Sequence, residues 1–167
     1  MKVNKLTRCA VLTALALALS VAEGLVPLTI LFPLPGLRLG LANLVTVYAL
    51  VSLGGGEALL ILLARCLLGA LLGGNLSSLA FSLTGGLLAF AVEWLLLRCP
   101  LLSVFGVCMA GAAGHNTGQI LAAMVLMKTA APLIYLPSLL LASAVTGAFT
   151  GWVTALLVGR LGTDRNL

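Results

Sequence analysis

Arg65 stands inside an uninterrupted apolar run, ILLARCLLGALL over residues 61–72. A guanidinium in such surroundings is costly and marks a function or a partner. Two roles fit it. It can anchor an anionic group of a ligand, or it can form a buried pair with Glu93, which sits in AVEWLLL over residues 91–97. The residue types leave both open. The single histidine, His115, lies in GHNTGQ over residues 114–119 and is followed by Asn116 and Gln119. Gln119 comes one helical turn after His115, on the same face. Arg38 and Asn43 open RLGLANLVTVYAL over residues 38–50, and Asn75 and Ser77 open another segment in GGNLSS over residues 73–78. Guanidinium, imidazole, carboxamide and hydroxyl groups together suit hydrogen bonding to a polar or anionic small molecule.

The same inventory argues against chemistry. One histidine with no carboxylate at helical spacing gives no acid–base pair, and the chain is expected not to be an enzyme. GxxxxGK[ST] is absent, so ATP binding by this chain is not expected. Cys9, Cys66, Cys99 and Cys108 form no CxxC pair, so neither a zinc site nor a disulfide framework is expected, and no metal or cofactor. The four cysteines read as small apolar residues.

The elements that must position these groups are membrane helices. The chain of 167 residues is 62% hydrophobic and 8% charged, and its mean hydropathy is +1.23. Soluble domains carry roughly 25% charged residues. The expectation is one integral membrane domain over residues 1–167, all-α and polytopic, a bundle of six helices. A transmembrane helix needs about 20 apolar residues. Helices are expected over residues 6–23, 39–53, 57–72, 76–97, 101–127 and 133–161. Gly54-Gly55-Gly56, Gly73-Gly74-Asn75, Arg98-Cys99-Pro100 and 128–132 separate the last five. Pro27, Pro33 and Pro35 make a regular helix improbable after the first span, and that apolar stretch is expected to lie against the membrane or fold back into the protein. Lys2, Lys5 and Arg8 ahead of an apolar run also resemble a signal peptide. The first membrane helix is the simpler reading, since the rest of the chain is just as apolar.

Net charge is +5, with the bases scattered singly. That pattern fits topology signalling rather than nucleic-acid binding. Six spans with the N-terminus inside put Lys2, Lys5, Arg8, Arg98, Arg160 and Arg165 on one side and Arg38 and Lys128 on the other. Both termini are therefore expected in the cytoplasm. Arg65 then lies roughly 13 Å into its helix, and His115 roughly 21 Å into its own. By depth, Arg38, Asn43, Asn75, Ser77, His115, Asn116 and Gln119 converge on the outer half. Each has a structural role open to it as a cap or an interhelical bond. Together they form the expected lining of a polar pocket open to the outside. GALLG (69–73), GHNTG (114–118) and GAFTG (147–151) place glycines where helices can approach closely. Ala10, Ala14 and Ala18 form a small-residue stripe that serves either packing within the bundle or docking of another membrane protein.

RLGLANLVTVYAL, the Arg65 helix, GGNLSSLAFSLTGGLLA (73–89) and GHNTGQILAA (114–123) resemble the Gx transporter family, also labelled heptaprenyl diphosphate synthase component I. The resemblance covers most of the chain, from the first helix to the last. That family is similar to the substrate-binding S components of energy-coupling factor transporters of bacterial cytoplasmic membranes. The resemblance implies a six-helix protein holding a small polar or anionic nutrient or precursor in an outward-facing pocket. It implies partners as well: a transmembrane coupling protein and ATPases, engaged through an alanine motif that the Ala10-Ala14-Ala18 stripe fits. The loop after the first helix would help close the pocket. The synthase label conflicts with the residues if read as catalysis, because diphosphate chemistry on magnesium needs carboxylate ligands and the chain has one aspartate, Asp164. The alternative is a noncatalytic membrane subunit for isoprenoid or quinone biosynthesis or a redox complex.

Overall fold

The computed structural model describes residues 3–25, 40–72, 75–99 and 101–161. They form α1 (Val3–Gly24), α2 (Asn43–Ser52), α3 (Gly55–Leu71), α4 (Leu76–Leu96), α5 (Val104–Met127) and α6 (Leu136–Leu161), with a 3-10 turn at Ala131–Tyr135 ahead of α6. The architecture is an all-α bundle of six helices. The stretch after Leu25, with its three prolines and Arg38, lies outside the described residues.

Local chemistry sets the helix ends. Asn75 caps α4, its Oδ1 accepting from the Ser78 N–H at 2.7 Å. Ser103 caps α5 through Oγ and the Gly106 N–H. Each cap satisfies an N–H that the first turn leaves open. Gly54, at φ +118°, turns the chain from α2 into α3, a conformation that favours glycine. Lys128 ends α5 in the left-handed region at φ 52°.

Two kinds of helix surface build the bundle. The 4–24, 76–96 and 131–160 segments are long and apolar enough to cross a membrane. Their outward faces carry exposed Leu15, Val21, Leu76, Leu95, Leu141, Val145 and Trp152, as lipid contact requires. The core side is made tight by glycine. A Cβ on Gly118 of α5 would sit 2.6 Å from the Thr84 carbonyl oxygen, and one on Gly147 of α6 would sit 2.6 Å from the Met109 Cα. The α4–α5 and α5–α6 seams are thus backbone against backbone, the small-residue packing of membrane helices.

α2 departs from the sequence expectation. It has 10 residues, roughly 15 Å at 1.5 Å per residue, about half a hydrocarbon core. Every residue of it except Tyr48 is buried, and it packs against α1, α3, α4, α5 and α6. The expected span over residues 39–53 is therefore a half-length central helix. Its entry segment, Gly40 to Ala42, lies inside the bundle. Gly40, at φ +85°, faces the His115 ring, where a Cβ would be 3.0 Å from Cδ2.

Candidate functional site

Three groups among the buried polar side chains could contribute to a site, and α4 divides two of them. The first lies at the start of α2. Asn43 donates from Nδ2 to Oε1 of Glu93 at 2.5 Å. The Leu41 N–H donates to Oε1 of Glu23, the buried carboxyl near the end of α1. Two of the four acidic residues of the chain thus meet the first polar groups of the central helix. A helix N-terminus is the end that favours negative charge. Room for Glu93 comes from Gly111 on α5, where a Cβ would fall 1.9 Å from Oε1. Asn43 Oδ1, Thr46 Oγ1 and Glu93 Oε2 are buried there with no hydrogen-bond partner among the described residues. Arg65 acts electrostatically on Glu93 from α3.

The second group is His115 with Gln119. The Gln119 carboxamide donates from Nε2 to His115 Nε2 at 2.8 Å, so that ring nitrogen accepts. The imidazole is held between two glycines. A Cβ on Gly85 would lie 3.0 Å from both its Cε1 and its Nδ1, and Gly40 closes the other side.

The third group is a crevice. Ser20 of α1, Arg65, Cys66, Gly69 and Ala70 of α3, and Ser78, Leu79 and Ser82 of α4 line a narrow space with room for about one water molecule. Arg65 is 4% exposed and Ser20 and Ser82 are buried. α1 and α3 pack together, as do α3 and α4, whereas α1 and α4 do not. The crevice is therefore a groove with α3 as its floor and α1 and α4 as its walls. Ser20 lies near the C-terminal end of α1, and Ser78 near the N-terminal end of α4. The groove thus occupies the half of the bundle away from the N-terminus. Arg65 lies beside Gly86 of α4, where a Cβ would be in ordinary contact with Nη2 at 3.4 Å and would press on Leu62 Cδ1 at 2.6 Å. Gly85 and Gly86 make α4 a thin partition at this level, with imidazole on one side and guanidinium on the other.

The expected site residues do not all meet. Arg65 lines the crevice. Asn43 is turned to Glu93, deeper than a count from a helix beginning at residue 39 places it, because Glu93 is three residues from the end of α4. His115 and Gln119 share one buried contact. Asn116 points another way, donating to the Leu139 carbonyl at 2.8 Å and to Ser143 Oγ at 3.0 Å. Neighbouring helix positions are about 100° apart, so His115 faces α4 while Asn116 ties α5 to α6. Asn75 is an exposed cap. Ser77 is half-buried, and it is the next residue, Ser78, that lines the crevice. Arg38 lies outside the described residues. Ala10, Ala14 and Ala18 share an exposed face of α1. Among the described residues no three His, Cys, Asp or Glu side chains cluster to hold a metal ion.

Ser20, Ser78 and Ser82 were not singled out by the sequence reading. The signal was present for two of them, since Ser78 and Ser82 are four apart and share a helix face. Glu23 was placed only as a helix end, although an acid there is one of few in the chain.

An all-α bundle with three membrane-length apolar helices and a buried arginine under a hydroxyl-lined groove defines a membrane protein class with an internal polar site. Within that class the chain belongs to the heptaprenyl diphosphate synthase component I family, whose sequence profile matches residues 12–157. No curated protein and no solved structure matches the chain. The description of the family names it as one component of a synthase.

Proposed function

We propose that this chain is the substrate-binding membrane component of an energy-coupling factor-like transporter, taking up a small polar or anionic nutrient or precursor. The observation that carries the reading is Arg65. It is nearly inaccessible, yet it lies along a groove whose other polar lining is hydroxyl. A guanidinium recognises carboxylate or phosphate through paired N–H donors, and hydroxyls adjust their donors to the ligand. The crevice as it stands has room for about one water molecule, so in this reading α1, α3 and α4 move apart to admit a ligand.

In this reading both termini face the cytoplasm and the groove faces outward, in a bacterial cytoplasmic membrane. The chain performs no chemistry of its own. A transmembrane coupling protein and ATPases supply the energy, and the exposed Ala10, Ala14 and Ala18 give the coupling protein a flat strip on which helices approach closely. The family description favours a second reading, a noncatalytic membrane subunit that accompanies a soluble prenyl diphosphate synthase.

Native purification from the membrane, with identification of bound small molecules and of co-purifying proteins, separates the two. A retained polar metabolite and ATPases support the transporter. A co-purifying soluble synthase with no retained solute supports the subunit. Within the first outcome, Arg65→Ala must abolish retention while unfolding stays cooperative; unchanged retention overturns the role of Arg65.

A further inference from the structure

The carboxyl of Glu93 is short of a donor. It is fully buried on α4, and among the described residues it takes part in no ion pair. Its one side-chain hydrogen bond there comes from Asn43 Nδ2 to Oε1. Oε2 has no partner, and neither has Asn43 Oδ1. The two orphans belong to one contact, because Oδ1 shares Cγ with the donating nitrogen and Oε2 shares Cδ with the accepting oxygen. An ionised carboxyl only accepts, and so does a carboxamide oxygen. No rotation within the pair can join them, and buried acceptors left in this way are uncommon.

One proton changes the balance. A protonated carboxyl carries an O–H donor. Placed on Oε2, it reaches Asn43 Oδ1 by turns about the terminal torsions of the two side chains, which are broad. Carboxyl and carboxamide then close a ring of two hydrogen bonds, with the O–H and the N–H donating and the two carbonyl oxygens accepting. The proton comes from water, and no other bond is made or broken.

The surroundings decide when the proton is held. α4 packs against α2, α3 and α5. α2 brings Asn43 and Thr46, both uncharged. α3 brings Arg65, which acts on Glu93 electrostatically, and a positive charge there opposes the proton. α5 brings the Cys108 thiol and Gly111, whose missing Cβ leaves the carboxyl its room. His115 of α5 lies beside Gly85, roughly 12 Å back along α4. Glu23 of α1 meets the same entry to α2 through the Leu41 N–H.

We infer that Glu93 and Asn43 form a proton-binding site, and that it fills when the charge of Arg65 is taken up by an anion in the crevice. The second half rests on the reading of Arg65 as a ligand anchor and supplies its regulation: a bound anion brings in a proton, and the buried charge stays balanced.

Infrared difference spectra of the full chain in detergent micelles read the site, because a protonated carboxyl has a carbonyl stretch that a carboxylate lacks. On acidification the band is expected in the parent protein and lost in Glu93→Gln, while Glu23→Gln, at the other buried acid, keeps it. Asn43→Leu opens the ring and should move the band to higher frequency, which a purely structural role would not do. Arg65→Gln stands in for capture of the guanidinium, and at neutral pH its band should be severalfold stronger than the parent's. A band absent at every pH at which the protein stays folded overturns the site, and a water bridging the two acceptors gives that result. A band that follows Glu23 overturns it too. If Glu93→Gln fails to fold, Glu23→Gln and Asn43→Leu decide the assignment. Equal bands in the parent and Arg65→Gln overturn the link to Arg65. Ligand retention that Arg65→Ala abolishes, with no acid band, leaves the anchor and removes the proton site; an acid band with unchanged retention leaves the proton site and removes the anchor.

Discussion

Gly111→Ala tests whether the seat of Glu93 is as tight as its geometry requires. An added Cβ would lie 1.9 Å from Glu93 Oε1 and 2.6 Å from its Cδ and Cγ, whereas ordinary contact begins near 3.4 Å. The carboxyl must retreat, and its 2.5 Å bond from Asn43 cannot survive a move of that size. Leaving the buried carboxamide without its partner costs about 1–3 kcal/mol, and overpacking adds about 1–3 kcal/mol. Alanine returns about 1 kcal/mol as a better helix former than glycine. The net expectation is a loss of about 1–5 kcal/mol from these terms. The sign should reverse in a Glu93→Ala background. There the obstructing carboxyl is gone, the new methyl enters the room it leaves, and Gly111→Ala should stabilise by about 1 kcal/mol. Denaturant titration in mixed micelles, followed by the fluorescence of Trp94 and Trp152, measures all four corners of the cycle. A Gly111→Ala protein as stable as the parent, or a substitution effect that is the same in both backgrounds, refutes the packing account.

Gly118→Ala meets backbone rather than a side chain, at 2.6 Å from the Thr84 oxygen and 2.9 Å from the Gly85 Cα, so α4 and α5 must part, at about 1–3 kcal/mol. Gly56→Ala, with nothing within 4 Å, should leave stability unchanged or slightly raised in the same titration. Asn116→Leu removes the link to Leu139 and Ser143 and should lower stability by about 1–3 kcal/mol, while retention of a bound ligand, measured on the purified protein, stays at the parental level. Leucine at Ala10, Ala14 and Ala18 together falls on an exposed face and should leave the unfolding midpoint in place; recovery of the ATPases in a pull-down is the readout that should fall.

The helices were legible because lipid leaves one solution for a long apolar segment, and the punctuation by Gly54, Asn75, Arg98-Cys99-Pro100 and the residues around Lys128 marks their ends. The expected 76–97 and 101–127 spans differ from α4 and α5 by at most three residues at an end. α2 was misread because an apolar run records that a segment avoids water but not whether lipid or protein surrounds it. LANLVTVYALVS satisfies a membrane span by composition, yet its length after Gly40 is half of one. Which polar residues are buried was legible in part by residue type, and their direction was not. Depth was counted along each helix as if all began at a membrane face. That counting fails for Asn43, whose helix starts inside, and it cannot distinguish His115 from Asn116, which share a depth and face different helices.

Direction also bears on the two roles that the sequence leaves open for Arg65. Anchor and ion-pair partner seem exclusive when the residue is a point on a string. The side chain on α3, however, lies along the groove and acts on Glu93 from the same position. In a low-dielectric interior a lone guanidinium is strongly unfavourable, so a site that must stand empty between ligands needs an internal counter-charge. Glu93 is the acidic group on which Arg65 acts, and under the proposed transporter reading an anionic ligand would compete with it for the guanidinium. The carboxyl that is then relieved is the one bonded to Asn43, the first residue of the helix that touches all the others. Under the proposed reading, occupancy of the groove would then reach the centre of the bundle through Glu93 and Asn43.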